Sequence, residues 1–219
     1  MIRIGIAACA CVLLLAGCAS ASRQAPFPKH YALAAPAPAA AQTAGQAPQH
    51  RTTLRVARLV VPAWLEGNRL YYRLAYRGDD QIAAYADSDW VAPPAGMLER
   101  LIQNTLAGDG MWRIVVGPDN SAQTDFGLHI RLDDFSQVFT NPGQSQGVLD
   151  ATATLVDHHN EAAMAQKRFH IQVNAPSADA AGGVKALNDA SRQFVARLQK
   201  WLGTVPRGTR APGPAPQPR

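Results

Sequence analysis

Hydrophobic positions along this chain fall into two periods, and the switches between them mark out its elements. Residues 54–61 form a β-branched, apolar-rich run that ends at Pro62, as a strand does. Gly67-Asn68 is a turn signal. Leu70, Tyr72, Leu74 and Tyr76 then alternate with Arg69, Tyr71, Arg73 and Arg77, the pattern of a half-buried strand with a basic outer stripe. Gly78-Asp79-Asp80 predicts a turn, and residues 81–86 a short returning strand. Pro93-Pro94 suits the first turn of a helix whose apolar stripe is Met97, Leu98, Leu101, Ile102, Thr105 and Leu106. Gly108-Asp109-Gly110 stops it, and residues 112–116 form a compact apolar strand.

Three longer alternations follow. Phe126, Leu128, Ile130 and Leu132 share one face, with His129 and Arg131 on the other. Leu149, Ala151, Ala153 and Leu155 alternate with Asp150, Thr152 and Thr154, and Phe169, Ile171 and Val173 with Arg168, His170 and Gln172. Asp157-His158-His159-Asn160-Glu161 is the hairpin turn between the last two. A final helix runs from about Asp179 to Leu202, buried along Val184, Leu187, Ser191, Phe194, Leu198 and Trp201, and ends at Gly203 and Pro206. Strands, helix, strands, helix predict an α/β (α+β) domain: a single mixed, largely antiparallel sheet flanked by two main helices.

The flanks are of different character. Arg3 followed by the apolar stretch 4–16 reads as a signal peptide, too short for a permanent membrane span. Leu15-Ala16-Gly17-Cys18 matches the bacterial lipobox, so cleavage is expected between Gly17 and Cys18, with lipid on the Cys18 thiol. Acyl chains on Cys18 make anchoring durable, because each buried methylene contributes ~0.8 kcal/mol. Ala19 after the cysteine, by resemblance to other lipoproteins, favours sorting to the outer membrane, on its periplasmic face. The expected organisation is a signal peptide over 1–17, lipidated Cys18 and an Ala/Pro-rich tether over 18–50, a folded domain over 51–204, and a disordered Pro-rich tail over 205–219. The tether reaches tens of Å at roughly 3 Å per residue. Within it, Tyr31 and Leu33 alternate as in a short strand, so 29–34 is expected to dock on the domain.

Composition alters this picture in two ways. The formal charge of +5 resides in the flanks: between Leu54 and Leu202 there are 14 Lys and Arg against all 16 Asp and Glu, a net −2. A nucleic-acid-binding domain places a positive field on its folded part, and this one does not. The three cysteines are Cys9, Cys11 and Cys18, so cleavage leaves only the lipidated one, and no disulfide or cysteine metal site remains.

Candidate chemistry is sparse. His158 and His159 are adjacent and point apart, unlike a two-histidine metal site. Asp79-Asp80 and Asp133-Asp134 read as polar turn residues rather than carboxylates facing across a cleft. His129 and His170 lie on strands, with no Gly-x-Ser-x-Gly elbow to supply a serine. No Walker lysine or phosphate loop occurs. The expectation is no catalytic site, no metal and no cofactor. Trp64, Trp90, Trp112 and Trp201 fit either a ligand cage or the core and its rim; Trp64 and Trp90, beside Pro62 and Pro93, are the better surface candidates. The stripe of Arg69, Arg73 and Arg77 fits lipid head groups, an acidic partner face or plain solvent.

Taken in order, these segments resemble the ABC-type transport auxiliary lipoprotein family, the PqiC-like components of MCE lipid-transport systems. The matching pieces after the lipobox are Tyr31-Ala32-Leu33, Leu54-x-Val56, Val61-Pro62-Ala63-Trp64-Leu65, Asn68-Arg69-Leu70-Tyr71-Tyr72-Arg73, Tyr85, Asp89-Trp90-Val91-Ala92-Pro93-Pro94, and the closing helix to Trp201-Leu202. Ala32 stands where an aromatic is usual, and Trp64 where a tyrosine is common. The resemblance implies an outer-membrane auxiliary that docks an MCE-domain protein, with phospholipid or another hydrophobic cargo and a homo-oligomeric ring by analogy. The alternatives are a periplasmic lipid-binding shuttle and a structural or assembly lipoprotein. Candidate partner-binding residues are Trp64, Leu65, Trp90, Arg69 and Arg73, because exposed aromatics are favoured anchors.

Overall fold

The computed structural model describes residues 27–33, 52–78 and 81–206. The expected signal peptide, Cys18, most of the tether, the Asp79-Asp80 turn and residues 207–219 lie outside the described residues.

The domain is built around one long strand. In chain order the elements are β1 (Lys29–Tyr31), β2 (Thr53–Val56), β3 (Arg69–Leu74), β4 (Ile82–Trp90), α1 (Pro94–Gly108), β5 (Ile114–Val116), β6 (Phe126–Asn141), β7 (Gln144–Asp157), β8 (Ala162–Asn174) and α2 (Ala180–Thr204). β6 pairs with β7 along nearly its whole length, and β7 with β8, both antiparallel. The other side of β6 is shared. Its start takes β2 in parallel, Leu54 opposite Phe126, and its end takes β3 in parallel, Tyr72 opposite Gln137. β5 extends the sheet beyond β2, while β4 and then β1 extend it beyond β3. The result is a mixed eight-stranded sheet with two helices, as the sequence predicts.

α2 packs on β6, β7 and β8, and α1 on β2, β5 and α2. The alternation explains which side they cover: Phe126, Leu128, Ile130 and Leu132 are buried, while His129 and Arg131 are exposed. Every stripe residue predicted for the last helix is buried, Phe194 and Leu198 completely. Asp179 caps that helix, its carboxylate accepting from the Gly182 N–H at 2.7 Å and from the Ser177 hydroxyl at 2.7 Å.

Several boundaries differ from the expected ones: β1 ends at Tyr31 and β5 begins only at Ile114. β2 ends at Val56, and the rest of the run to Val61 stays bonded to β6 through the Ala57 N–H, which donates to the Leu128 carbonyl at 3.0 Å, and through a bridge from Val60 to Arg131. β3 ends at Leu74 in a short 3-10 turn, which leaves Tyr76 exposed. β4 continues through Trp90 instead of stopping at Ala86. β6 runs on past Leu132, so Asp133 and Asp134 are strand residues rather than a turn. A register shift between Leu132 and Asp134 inserts one residue, and the buried face changes from even to odd positions, to Phe135, Gln137 and Phe139.

Candidate functional site

The segments 58–61, 91–97 and 117–120 come together at the start of α1. Between them lies a groove of about 970 Å³. One wall is apolar: Leu33, Val60, Val61, Val91 and Met97. The rim carries Arg58, Arg100, Glu66, Glu99 and Asp119, charges of both signs. Specific contacts set its shape. The Leu59 N–H donates to Glu99 Oε2 at 3.1 Å, and Arg58 pairs with Asp119 at 2.6 Å across the mouth. The Val91 N–H donates to the Tyr31 carbonyl at 2.8 Å, tying β1 to the groove floor. Val60 and Val91 are 62% and 57% exposed, large apolar side chains left in solvent side by side with a concave surface.

The residues singled out from the sequence are distributed differently. Trp90 is not in a surface loop: it ends β4, is 1% exposed, and packs on Phe135 with ring centroids 5.7 Å apart. The strand runs to within three residues of Pro93, so the nearby proline does not signal a loop at Trp90. Leu65 is also in the core. Arg69 and Arg73 are committed within the chain. Arg69 pairs with Asp89 and donates to the Tyr85 carbonyl at 2.8 Å. Arg73 pairs with Asp134 and donates to Ser136 Oγ at 3.2 Å. Trp64 alone keeps a partly open ring, edge-on to Tyr71 at 5.2 Å and flanked in sequence by the groove residues Val61 and Glu66. Val60 and Val91 were missed because an exposed valine next to a proline has the same local pattern as a buried one.

The open sheet face is polar and internally neutralised. Asp150 accepts from Arg168 at 2.6 and 2.9 Å and lies 3.3 Å from His170 Nδ1. The Arg168 guanidinium holds the Asp150 carboxyl below its ordinary value, against the opposing effect of burial. The two turn histidines serve as ties: His158 Nδ1 lies 3.0 Å from Thr124 Oγ1, and His159 Nε2 lies 3.2 Å from Asp125 Oδ1. Beneath α2, the Tyr85 hydroxyl donates to Gln137 Oε1 at 2.8 Å, and Gln137 Nε2 donates to Ser145 Oγ at 2.7 Å and to the Asp179 carbonyl at 3.1 Å. Burial, then the neighbouring Tyr72 and Asp179, push the Tyr85 phenol far above its ordinary value, so it stays a neutral donor.

Comparison with known proteins places these features. The fold matches a Xanthomonas campestris protein of the DUF330 family with a TM-score of 0.63, at 19% identity over 72% of this chain and 87% of that one. It matches a second, uncharacterised protein with a TM-score of 0.62, at 18% identity over 80% of this chain and 99% of that one. Among curated proteins no relative matches the sequence. A family model matches residues 31–199, from the end of β1 to the last turns of α2, and thus takes in the groove and β2 to β8. The chain therefore belongs to the family of ABC-type transport auxiliary lipoprotein components.

Proposed function

We propose that this protein is exported, cleaved before Cys18 and lipidated there, and serves from the periplasmic face of the outer membrane as the docking component of an ABC/MCE-type lipid transport system. The family supports the transport role, and the lipobox supports the anchor. One observation carries the docking reading: the apolar-walled groove, with Val60 and Val91 exposed, is a concave apolar surface that nothing in the domain fills among the described residues. A tethered module with a concave apolar patch and a mixed-charge rim is suited to receiving a protein segment. The space between sheet and helices, where a lipid shuttle would carry cargo, is packed with Leu54, Leu98, Leu128, Leu149, Phe194 and Leu198. That packing favours docking over carriage.

The test is cross-linking in intact cells followed by purification and mass spectrometry, with Cys18→Ala as the control. Recovery of an MCE-domain protein, reduced in the control, supports the reading. Recovery of only barrel or cell-wall components overturns it in favour of an assembly role.

A further inference from the structure

At the opposite edge of the sheet from β1 lies a second concavity, of about 410 Å³, between β8 and the last turns of α2. Its floor is aromatic, Phe169 and Trp201, whose ring centroids lie 6.0 Å apart. Its walls are cationic. Lys167, Arg168 and His170 come from the strand, and Arg197 and Lys200 from the helix, with Thr204 one turn further on. No carboxylate lines it. Arg168 is neutralised by Asp150, but none of the ion pairs among the described residues involves Lys167, Arg197 or Lys200. Lys167 lies over the Phe169 ring at 5.5 Å, and Arg197 reaches only Gln193, at 3.4 Å.

This concentration is not what the domain's overall charge predicts, since the stretch from Leu54 to Leu202 is net −2. Three exposed cations without a carboxylate partner line one concavity from two elements, which makes it favourable to an anion. Protection of the free edge of β8 accounts for Lys167 and Arg168, because charged side chains on an edge strand deter pairing with other chains. It does not account for Arg197 and Lys200, which are on the helix and converge on the same concavity.

We propose that this pocket binds a phosphate group. Arg197 offers planar paired donors suited to phosphate oxygens, Lys167 and Lys200 add point charges, and the Thr204 hydroxyl adds a neutral donor. The aromatic floor suits the apolar stem of a phosphodiester such as the glycerol of a lipid headgroup, and the pocket is too cationic to hold acyl chains. The ligand is therefore a lipid headgroup phosphate or a free phosphate. The proposal does not rest on the docking reading, whose groove and partner are separate.

The test uses a chain starting at residue 18 with Cys18→Ser, which retains every described residue and removes the anchor. Binding is measured by flotation with phosphatidylglycerol and with phosphatidylcholine vesicles, and by tryptophan fluorescence during titration with inorganic phosphate and with glycerol 3-phosphate. Trp201→Phe identifies the reporting ring. The expected result is binding to phosphatidylglycerol vesicles or to free phosphate, weakened at least about tenfold in the double variant Arg197→Gln/Lys200→Gln. Vesicle binding without a phosphate response assigns the lipid headgroup, and the converse assigns free phosphate. Two outcomes overturn the proposal. One is unchanged binding, or none, in parent and variant alike. The other is an equal loss in Arg58→Gln/Arg100→Gln, which removes the same charge from the groove rim instead. Either leaves the capture of an MCE-domain protein untouched.

Discussion

Gly147 of β7 lies directly under Ala186 of α2: a Cβ on Gly147 would stand 2.7 Å from the Ala186 carbonyl carbon and from the Leu187 nitrogen. Those are backbone atoms and cannot rotate away. Gly147→Ala must lift the helix from the sheet, and is expected to cost about 1–3 kcal/mol. Gly183→Ala places its methyl group on the Gln137 carboxamide, which bonds Ser145, Asp179 and Tyr85. It should cost a similar amount. Urea unfolding of the two variants checks both values.

The cap of α2 is a separate contribution. Asp179→Ala removes the acceptor for the Gly182 N–H and leaves Ser177 without its partner. A loss of about 1 kcal/mol is expected, with Asp179→Asn or Asp179→Ser retaining most of it. Denaturation midpoints of the three variants decide the matter.

Acid should destabilise the domain within a defined range. Arg168 holds the Asp150 carboxyl down, and the Gly182 N–H with the Ser177 hydroxyl does the same for Asp179. At Asp125 burial acts upwards, but the Thr53 N–H and hydroxyl and the His159 ring together bring it below its ordinary value. In each case the folded carboxyl releases its proton at lower pH than the unfolded one, near about 3.9. Stability from these groups is therefore complete above that value and falls as pH drops through the lower folded values. Unfolding free energy should be flat in these terms between about pH 5 and pH 7 and decline below about pH 4. Asp150→Asn should make that decline shallower, which denaturant titrations at several pH values will show.

The tryptophans separate folding from docking. Trp90→Ala removes a fully buried ring from against Phe135 and should cost about 3–5 kcal/mol. Val60→Asp acts on an exposed residue of the groove and Trp64→Ala on a partly exposed ring close to it in sequence, and both should cost less than the core variant. They are expected to lower recovery of the MCE-domain partner severalfold while thermal unfolding of the domain stays cooperative. Full partner recovery by Val60→Asp would remove the groove from the proposed docking surface.

Much of the architecture is written in local periodicity. The stripe from Val184 to Trp201 names the buried face of α2, because a helix that must cover a sheet needs apolar residues three and four apart. The bulge at Asp133 was not legible: one inserted residue changes which positions face inward, and alternation read from Leu132 onwards then looks like an ending. The partners of Arg69 and Arg73 were hidden for another reason. Asp89 and Asp134 lie 20 and 61 positions away in the sequence, and only the pairing of β3 with β4 and β6 brings them near. Trp90 was misplaced because a strand running almost into a proline-initiated helix leaves no loop between them.

The pairing of β1 with β4 changes what the Ala/Pro-rich stretch does. Lys29–Tyr31 is fixed opposite Ser88–Trp90, and both Leu33 and Thr52 belong to the described domain. With the lipid on Cys18 as proposed, the leash is only the ten residues to Pro28, at most about 35 Å when fully drawn out. Residues 34–51 close a loop between two points already on the domain and add nothing to its height above the bilayer. Inserting residues there should leave the working distance unchanged, whereas the same insertion before Phe27 lengthens it. On that reading β1 is the edge at which the leash meets the domain.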